Sequence, residues 1–458
     1  MTEDHERAAE LLTSHPAVAK ARVSGATELT AYLIPDEREA PLLHRSGLLQ
    51  ARGRLAGLSW HEPSVDLRLA QVNRSETDFL YREIFVDNAY FRHGIALPED
   101  AVVVDVGANI GMFTLAAAAH SARIRIVAVE PVAESARALA VNAELHGIDV
   151  TVVNCGLGAE AGEAEFTYYP HNSVMSGYYA DADEDQAALR GYLLTSDDAE
   201  RGKHLDKLVT DRMAAERRRY PVLTLTDIVH REHIDTIDLL KIDVEKAESD
   251  VLAGMDAKAW DKVTQIVIEV HDLDGRLRRV LTELTHRGFE VTHDRDDRLA
   301  LTPCHTVYGR RPTARRQPAA TPAPPRLPTM RALAAELRAI LADAEPRLPE
   351  IHHFELVTSL ARIAAPATGS PRPVHGPGTT VLAEIWAELF GAGSVRDDAD
   401  FFDLGGDSLT AVRLLARLET RLGADVLALD AVFTSSRFGE LAAAVEAGVT
   451  SRQSVQRG

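Results

Sequence analysis

Short apolar runs rich in β-branched residues alternate with helical segments between residues 69 and 308. The runs lie at residues 102–106, 125–129, 150–153, 237–242, 265–270 and 289–292. Strands that are apolar on both faces and separated by helices are typical of a parallel sheet covered by helices. The pattern therefore predicts an α/β domain over residues 41–310.

The rest of the chain is divided by two proline-rich segments. Residues 311–330 and 366–378 are rich in proline and poor in large apolar side chains, which predicts extended linkers. Residues 379–448 have apolar positions at helical spacing and predict a small helical domain. Residues 1–40 and 331–365 are each too few to form a core alone, so we expect them to pack on other parts of the chain.

The chain of 458 residues is acidic, with 50 Lys and Arg against 69 Asp and Glu and a formal net charge of −19. An acidic surface repels phosphate backbones and anionic lipid, so we expect neither nucleic acid nor a membrane as partner. Its two cysteines are too few for a disulfide framework. No apolar run reaches the roughly 18 residues of a membrane helix, and residues 1–10 do not resemble a signal peptide. These features predict a cytoplasmic, multidomain protein.

A glycine-rich turn follows the first of these strands. The strand ends at Asp105, and Gly107, Asn109 and Gly111 lead into a helix, whose N-terminus and loop amides form a site for an anionic group. The second strand ends in Glu130, an acid that can accept hydrogen bonds from ribose hydroxyls. The spacing departs from the three-glycine dinucleotide fingerprint. An acid before the first glycine suits a ligand with an amino group and a carboxylate, as at the methionine end of S-adenosylmethionine. The alternative is that the glycine-rich turn serves only the packing of the helix on the strand.

A second acidic cluster lies at the ends of two later strands. Asp243 and Glu245 follow one strand, and His271 ends the next, so the carboxyl edge of a parallel sheet would bring them to one pocket. A histidine oriented by Glu245 is a candidate general base, because its pKa lies near working pH. If the ligand is S-adenosylmethionine, such a base favours transfer of its methyl group to oxygen over nitrogen, because an alcohol is a weak nucleophile until it loses its proton. The alternatives are a histidine that only caps the strand, or a divalent metal held by Asp243 with Glu269 or Asp272, although we expect no metal.

Several motifs in this order resemble the FkbM-type family of S-adenosylmethionine-dependent methyltransferases. They are VVVDVGANIGMFT from residue 102, VEP at 129–131, VNAELHG around Asn142, LLKIDVEKAESDVLAGM at 239–255 and IVIEVHD at 266–272. The resemblance implies a Rossmann-like, doubly wound fold and S-adenosyl-L-methionine as cofactor. It also implies cofactor-binding roles for Asp105, Gly107, Asn109, Gly111, Glu130, Asn154 and Asp243. Lys246 departs from the glycine that the family has there, so we expect a different turn at that point.

Two further segments of the sequence suggest functions, one inside the methyltransferase-like region and one in the small helical domain that follows it. Residues 168–200 form a long insertion, either a lid over substrate or a solvated excursion. The string FFDLGGDSL at 401–409 resembles the phosphopantetheine attachment site of a four-helix peptidyl or acyl carrier domain. That resemblance implies that Ser408 carries 4′-phosphopantetheine; the alternative is that this serine only caps a helix.

The flanking segments resemble the small C-terminal subdomain of a synthetase adenylation domain. Residues 12–36 resemble its start and residues 331–362 its continuation, while residues 365–374 hold no lysine and the large ATP-binding subdomain is absent. We therefore expect a small α+β remnant with a structural role, although two unrelated packing segments would give the same pattern.

Taken together, these resemblances imply a methyltransferase of a natural-product assembly line. The leading hypothesis is O-methylation of a carrier-tethered acyl or peptidyl intermediate in nonribosomal peptide or polyketide biosynthesis. The implied partners are a phosphopantetheinyl transferase and other synthetase modules. The rival hypotheses are N-methylation of a carrier-bound aminoacyl group and a carrier scaffold whose methyltransferase-like domain is inactive.

Overall fold

The computed structural model describes most of the chain, with gaps between the described segments. The described residues are 2–25, 29–121, 123–170, 172–193, 209–210, 213–295, 303–312, 329–344, 348, 350–362, 376–397, 399–402, 404–406, 408–423, 426–427, 431–432 and 436–455. Most of the two predicted linkers and part of the insertion at 168–200 lie outside these residues.

The strands are β1 (Val18–Ser24), β2 (Leu29–Pro35), β3 (Ser59–Ser64), β4 (Leu67–Gln71), β5 (Val102–Val106), β6 (Arg125–Val129), β7 (Asp149–Val153), β8 (Gly156–Leu157), β9 (Gly162–Tyr168), β10 (Glu216–Leu223), β11 (Leu239–Ile242), β12 (Gln265–His271), β13 (Glu290–Asp294), β14 (Cys304–Arg310) and β15 (Ile351–Leu356). The helices are α1 (Thr2–Thr13), α2 (Pro41–Ala51), α3 (Arg74–Tyr81), α4 (Met112–Ala119), α5 (Ala133–His146), α6 (Ala182–Leu193), α7 (Leu225–Arg231), α8 (Glu248–Ala253), α9 (Ala257–Lys262), α10 (Arg276–His286), α11 (Met330–Ala344), α12 (Pro377–Phe390), α13 (Ser408–Leu422) and α14 (Phe438–Val455).

A seven-stranded sheet forms the centre of the fold, in the order β13-β14-β12-β11-β5-β6-β7. Neighbouring strands from β12 to β7 pair in parallel, and β14 runs antiparallel to both of its neighbours. The predicted α/β, Rossmann-like fold is thereby confirmed. The sequence pattern did not predict β14, which places Cys304 opposite His271.

Both faces of this sheet are covered by apolar side chains. Because successive side chains of a strand point to opposite faces, Val104 packs on one side with Ile268 and Trp260, whereas Val103 packs on the other with Phe113. Parallel strands whose two faces are both buried need apolar residues throughout, which is why the sequence shows continuous apolar runs.

The chain between β7 and β11 forms a small second sheet in the order β8-β10-β9. β9 and β10 are antiparallel, with Gly162 paired with Val222 and Tyr168 with Glu216. The insertion that contains α6 leaves from the Tyr168 end of this pair. The part of the insertion that follows β9 lies close to the glycine-rich turn, because residues of both line one cavity.

The N-terminal segment packs on a segment from far along the chain. β15 pairs in parallel with β2, and β1 pairs antiparallel with β2 on its other side. Leu12 of α1, Leu33 of β2 and Leu337 of α11 are fully buried in the core that this sheet shares with the two helices. The described residues within 2–40 and 331–356 thus form one α+β unit.

The C-terminal unit is built from α12, α13 and α14 around Trp386 and Phe401, both fully buried. Between α13 and α14 the structure describes only residues 423, 426–427, 431–432 and 436–437, so an expected fourth helix falls largely outside the described residues. Among the described helices, none has both the length and the apolar character that crossing a membrane requires.

Candidate functional site

The glycine-rich turn between β5 and α4 forms one wall of a cavity at the carboxyl edge of the sheet. Gly107 and Gly111 have φ values of +75° and +86°, the left-handed region that favours glycine. A Cβ atom on Gly107 would lie 1.7 Å from the backbone oxygen of Asp243. A glycine at this position therefore allows the turns after β5 and β11 to approach each other. Asn109 also has a positive φ, of +46°, and its side-chain oxygen accepts the N–H of Ile110.

Glu130 stands at the end of β6, next to this turn. Its two carboxylate oxygens accept the backbone N–H groups of Asn109, at 2.9 Å, and Val132, at 2.8 Å. Burial raises the pKa of Glu130 to about 7, although both hydrogen bonds act in the opposite direction. Asn154 is exposed, does not line the cavity, and donates to the backbone oxygens of Glu130 and Pro131. Asn154 thus supports the turn that carries Glu130.

Asp105 is fully buried and does not line the cavity. Its carboxylate accepts the hydroxyl of Thr114 at 2.9 Å and lies 3.2 Å from the ammonium of Lys241. The ammonium of Lys241 therefore neutralises the carboxylate of Asp105, and the cofactor-binding role expected of Asp105 stays a prediction. Asp243, which lines the cavity, lies 3.5 Å from the same ammonium and accepts the hydroxyl of Tyr90 at 2.9 Å.

Lys241 connects these acids to the glycine-rich turn. Its ammonium donates to the backbone oxygen of Gly107 at 2.7 Å. Burial alone would lower the pKa of Lys241, but Asp105 and Asp243 outweigh that effect and raise it, so the side chain stays charged. The lysine therefore holds the turn and Asp243 in one fixed arrangement.

His271 lies at the end of β12 between two carboxylates. Its Nε2 is 3.2 Å from Glu245, as the sequence predicts, and its Nδ1 is 2.8 Å from Glu248 on α8. Burial lowers the pKa of His271, but Glu245 and Glu248 outweigh burial and raise that pKa well above its ordinary value. The two carboxylates thus favour the imidazolium form of His271, and its expected role as a general base stays a prediction. Arg276 donates to the far oxygen of Glu248 at 2.6 Å.

The same region of the cavity holds side chains of the kinds that can serve as metal ligands. Single oxygens of Asp243, Glu245 and Glu269 lie within 4.8 Å of one another, and so do ligand atoms of Glu269, His271 and Cys304. Burial, followed by the charge of Asp243, raises the pKa of Glu269 well above its ordinary value, which favours its protonated form. A divalent cation would therefore compete with a proton for this carboxyl. The three oxygen ligands would suit a hard cation, whereas the thiol would suit a softer one.

The cavity has a volume of about 860 Å³. It is lined by the glycine-rich turn, by Glu130, by the cluster around His271, and by residues of α3 and of the insertion. Tyr178 of the insertion also lines it, and among the described residues the Tyr178 hydroxyl has no hydrogen-bond partner. A volume of this size accommodates a small organic ligand with room for a second reactant.

Lys246, at the position where the motif departs from glycine, lies in the turn before α8. Glu245 and Lys246 both have left-handed φ values, +47° and +72°, so the turn keeps a glycine-like conformation. The Lys246 ammonium lies 2.7 Å from Asp185 and 3.3 Å from Glu184, both on α6. This ion pair joins the insertion to the turn that carries Glu245, while its role as a lid stays a prediction.

Three residues of this site escaped the sequence analysis as functional candidates. They are Lys241, which pairs with Asp105, Glu248, which pairs with His271, and Arg276, which pairs with Glu248. A charged lysine within the apolar run LLKI was the available signal, because a strand that is buried on both faces holds a lysine only when an acid neutralises it. Arg276 follows β12 by only a few residues but carries no comparable pattern.

Comparison with known proteins identifies two families in the chain. The family described as methyltransferase FkbM domain matches residues 105–291, and the phosphopantetheine attachment site matches residues 380–445. The 31-O-demethyl-FK506 methyltransferase FkbM of Streptomyces tacrolimicus is 39% identical over 244 residues, which cover 53% of this chain and 93% of that protein. Methyltransferase 1 of Beauveria bassiana is 32% identical over 238 residues, covering 48% of this chain and 84% of that protein.

One relative extends over both units. The AMB antimetabolite synthetase AmbE of Pseudomonas aeruginosa is 35% identical over 454 residues, which cover 88% of this chain and 20% of AmbE. The chain thus spans about a fifth of the length of that synthetase. It matches the phosphinothricin tripeptide synthetase PhsB of Streptomyces viridochromogenes over a shorter stretch, with 49% identity over 67 residues, or 13% of this chain and 6% of PhsB.

The cofactors of these two families are S-adenosyl-L-methionine and 4′-phosphopantetheine. The cavity fits the first of them. Gly107 and Gly156 leave room where a Cβ atom would collide with Asp243 and Tyr178. Glu130 lines the cavity with a carboxylate, a group that can accept hydroxyl hydrogen bonds, and the Tyr178 hydroxyl offers an additional polar contact. The chain belongs to the FkbM methyltransferase family, and it carries a phosphopantetheine attachment domain after its methyltransferase domain.

Proposed function

We propose that this chain methylates a hydroxyl group of an acyl or peptidyl intermediate tethered to a carrier domain, in nonribosomal peptide or polyketide biosynthesis. The observation that carries this proposal is the ion-paired His271 on the wall of the cavity that the glycine-rich turn also lines. S-adenosylmethionine supplies an electrophilic methyl group. An alcohol must lose its proton as the carbon–oxygen bond forms, whereas a neutral amine attacks with a free lone pair, so a positioned proton acceptor favours oxygen.

The two carboxylates beside His271 contact different ring nitrogens and so have different roles in proton transfer. Glu248 accepts from Nδ1 and is itself held by Arg276, which leaves Nε2 to face the cavity and Glu245. Only the neutral imidazole accepts a proton at Nε2, so His271 must first lose the proton that the two carboxylates stabilise. We infer that the methylation rate rises with pH through the raised pKa of His271.

The carrier and the flanking units support an assembly-line context. Ser408, at the start of α13, is the position at which a phosphopantetheinyl transferase would attach the arm. Tethering raises the effective concentration of the substrate, so the cavity needs little affinity for a free acid. The α+β unit formed by residues 1–40 and 331–356 would serve as a structural support and as a connection to other synthetase modules. The Streptomyces relative supports an oxygen acceptor, because its name gives a 31-O-demethyl compound as substrate.

The pH dependence of two variants tests the assignment of His271. His271→Gln removes the base, and loss of a general base typically lowers the rate by about 10²–10⁴-fold. Glu245→Gln removes one of the two charges that raise the pKa of His271, so the rising limb of the pH–rate profile should move to lower pH. The assay is transfer of labelled methyl from S-adenosylmethionine to hydroxyacyl groups loaded on Ser408. His286→Gln, an exposed histidine at the end of α10, is the control.

Each alternative gives a different result. If Glu245 is itself the base, Glu245→Gln lowers the maximal rate instead of moving the profile. If the acceptor is an amine, His271→Gln methylates at the wild-type rate, and mass spectrometry of the product locates the methyl group on nitrogen. If the domain is an inactive scaffold, wild-type protein fails to bind S-adenosylmethionine in a calorimetric titration.

A further inference from the structure

The carrier domain of this chain contributes to the wall of the methyltransferase cavity. Phe402 and Gly406, both in the segment before α13, belong to the residues that line it. Ser408 follows Gly406 by two residues, so its Cα lies within about 7 Å of the Gly406 Cα even in a fully extended chain. The attachment site is therefore next to the cavity that holds the reacting groups.

An ion pair joins the two domains at this point. Arg74, at the start of α3, donates to Asp400 of the carrier at 2.8 Å, and the two side chains are 19% and 16% exposed. The guanidinium of Arg74 also lies 5.1 Å from the ring centre of Phe402. Asp400 is in turn fixed within the carrier by Ser436 and by the backbone N–H of Phe402. The contact thus uses a preorganised acid in the carrier rather than a mobile surface charge.

Apolar contacts continue the interface beyond the ion pair. Tyr169 and Leu189 of the insertion, together with Val209 and Met213 between the insertion and β10, are buried in the same apolar cluster as the core of the carrier. Phe402 and Leu404 of the carrier pack against that cluster. The insertion therefore contacts the cavity through α6 and the carrier through its apolar side chains.

We propose that this interface is a docking surface through which the chain's own carrier presents its phosphopantetheine arm to the methyltransferase cavity, with Arg74 as its positioning residue. The inference rests on the proposed function, because it assigns the tethered substrate to Ser408 of the same chain. Intramolecular delivery of this kind replaces binding of a separate carrier by an effective concentration in the millimolar range. A carrier from another module would first have to displace the one already in place.

Crosslinking of the arm to the cavity tests docking without requiring methyl transfer. A phosphopantetheinyl transferase loads Ser408 with a coenzyme A analogue whose arm ends in a haloacetyl group, and Met175→Cys places a thiol in the cavity lining. The thiolate displaces the halide, which leaves as an anion while the thiol proton goes to buffer. The native thiols of Cys155 and Cys304 also line the cavity, but they are only 3% and 5% exposed. Burial also raises the pKa of Cys155 to about 11 and that of Cys304 well above its ordinary value, so both compete poorly.

The proposal predicts an intramolecular crosslink in Met175→Cys and none in Val65→Cys, an exposed position that does not line the cavity. Adding Arg74→Glu should slow crosslinking at least about tenfold, because it places like charges at the contact with Asp400. Arg123→Glu, which removes an exposed ion pair with Glu99, should leave it unchanged. Ser173→Cys, a second cavity position, repeats the test if Met175→Cys fails to fold. No crosslink in either variant, or an equal rate with Arg74→Glu, would overturn the proposal.

Methylation kinetics separate this inference from the proposed function. In loaded wild-type protein, the single-turnover rate constant should be independent of protein concentration, and Arg74→Glu should lower it while leaving S-adenosylmethionine affinity unchanged. A rate that rises in proportion to protein concentration would show delivery between chains and would contradict docking of the chain's own carrier. Crosslinking without any methylation would leave docking standing and would refute the proposed reaction.

Discussion

Gly107 permits the closest approach between the two turns that frame the cofactor site, so Gly107→Ala is an informative perturbation. Its Cβ would lie 1.7 Å from the backbone oxygen of Asp243, and real Cβ contacts stay above 3.0 Å. The turns after β5 and β11 would therefore have to separate by more than about 1 Å. Because Lys241 joins Gly107 to Asp243 and Asp105, this movement would disturb the whole arrangement.

Two contributions set the expected size of the effect. A left-handed conformation costs a non-glycine residue roughly 1–2 kcal/mol of stability. Weakening the charged hydrogen bonds of Lys241 costs a further ~1.5–3 kcal/mol, the usual value of charged hydrogen bonds. If this second cost reduces the free energy of cofactor binding, affinity for S-adenosylmethionine should fall by about 10- to 100-fold, since 1.4 kcal/mol corresponds to a factor of ten.

Gly147→Ala provides a matched control. Gly147 has a φ of +68°, close to that of Gly107, but a Cβ there would meet no atom within 4 Å. Denaturant unfolding should show a loss of roughly 1–2 kcal/mol for this control, with calorimetric affinity for S-adenosylmethionine unchanged. Equal losses of affinity in the two variants would refute the argument, because backbone strain without a collision would then explain both.

Three further predictions concern the cofactor, the insertion and the attachment site. The pKa of Glu130 is raised to about 7. If its carboxylate form accepts the ribose hydroxyls, the affinity for S-adenosylmethionine, measured by calorimetry, should increase as pH rises through about 7. Glu130→Gln should remove this pH dependence. The same raised pKa means that Glu130 destabilises the folded protein as pH rises from the ordinary carboxyl range through about 7, and Glu130→Gln should also reduce that loss in denaturant unfolding. Lys246→Gly relieves a left-handed φ but leaves the buried Asp185 without its ammonium, so hydrogen exchange in α6 should accelerate, and the added Asp185→Asn change should reverse much of it. Mass spectrometry should find one phosphopantetheine per wild-type chain and none on Ser408→Ala; a label on that variant would contradict the attachment site.

The sequence by itself determined the elements whose signal is local. The apolar runs gave the strands that pair in parallel in the central sheet, because a strand that is buried on both faces must be apolar throughout. The turn with Gly107 and Gly111 was evident because only glycine adopts its backbone angles without strain. The proximity of Glu245 to His271 followed from the rule that ligands meet the carboxyl ends of neighbouring parallel strands.

Tertiary structure decided the properties that depend on neighbours from distant parts of the chain. A second carboxylate, Glu248, reaches Nδ1 of His271 from α8, and the summed charges raise the histidine pKa that an isolated side chain would have kept near neutral. Burial beside Lys241 removed Asp105 from the cavity wall. The pairing of β15 with β2 and the contact of Arg74 with Asp400 join segments hundreds of residues apart. Such contacts leave no periodic signal in the sequence, because they depend on how complete elements pack and not on the spacing within any of them.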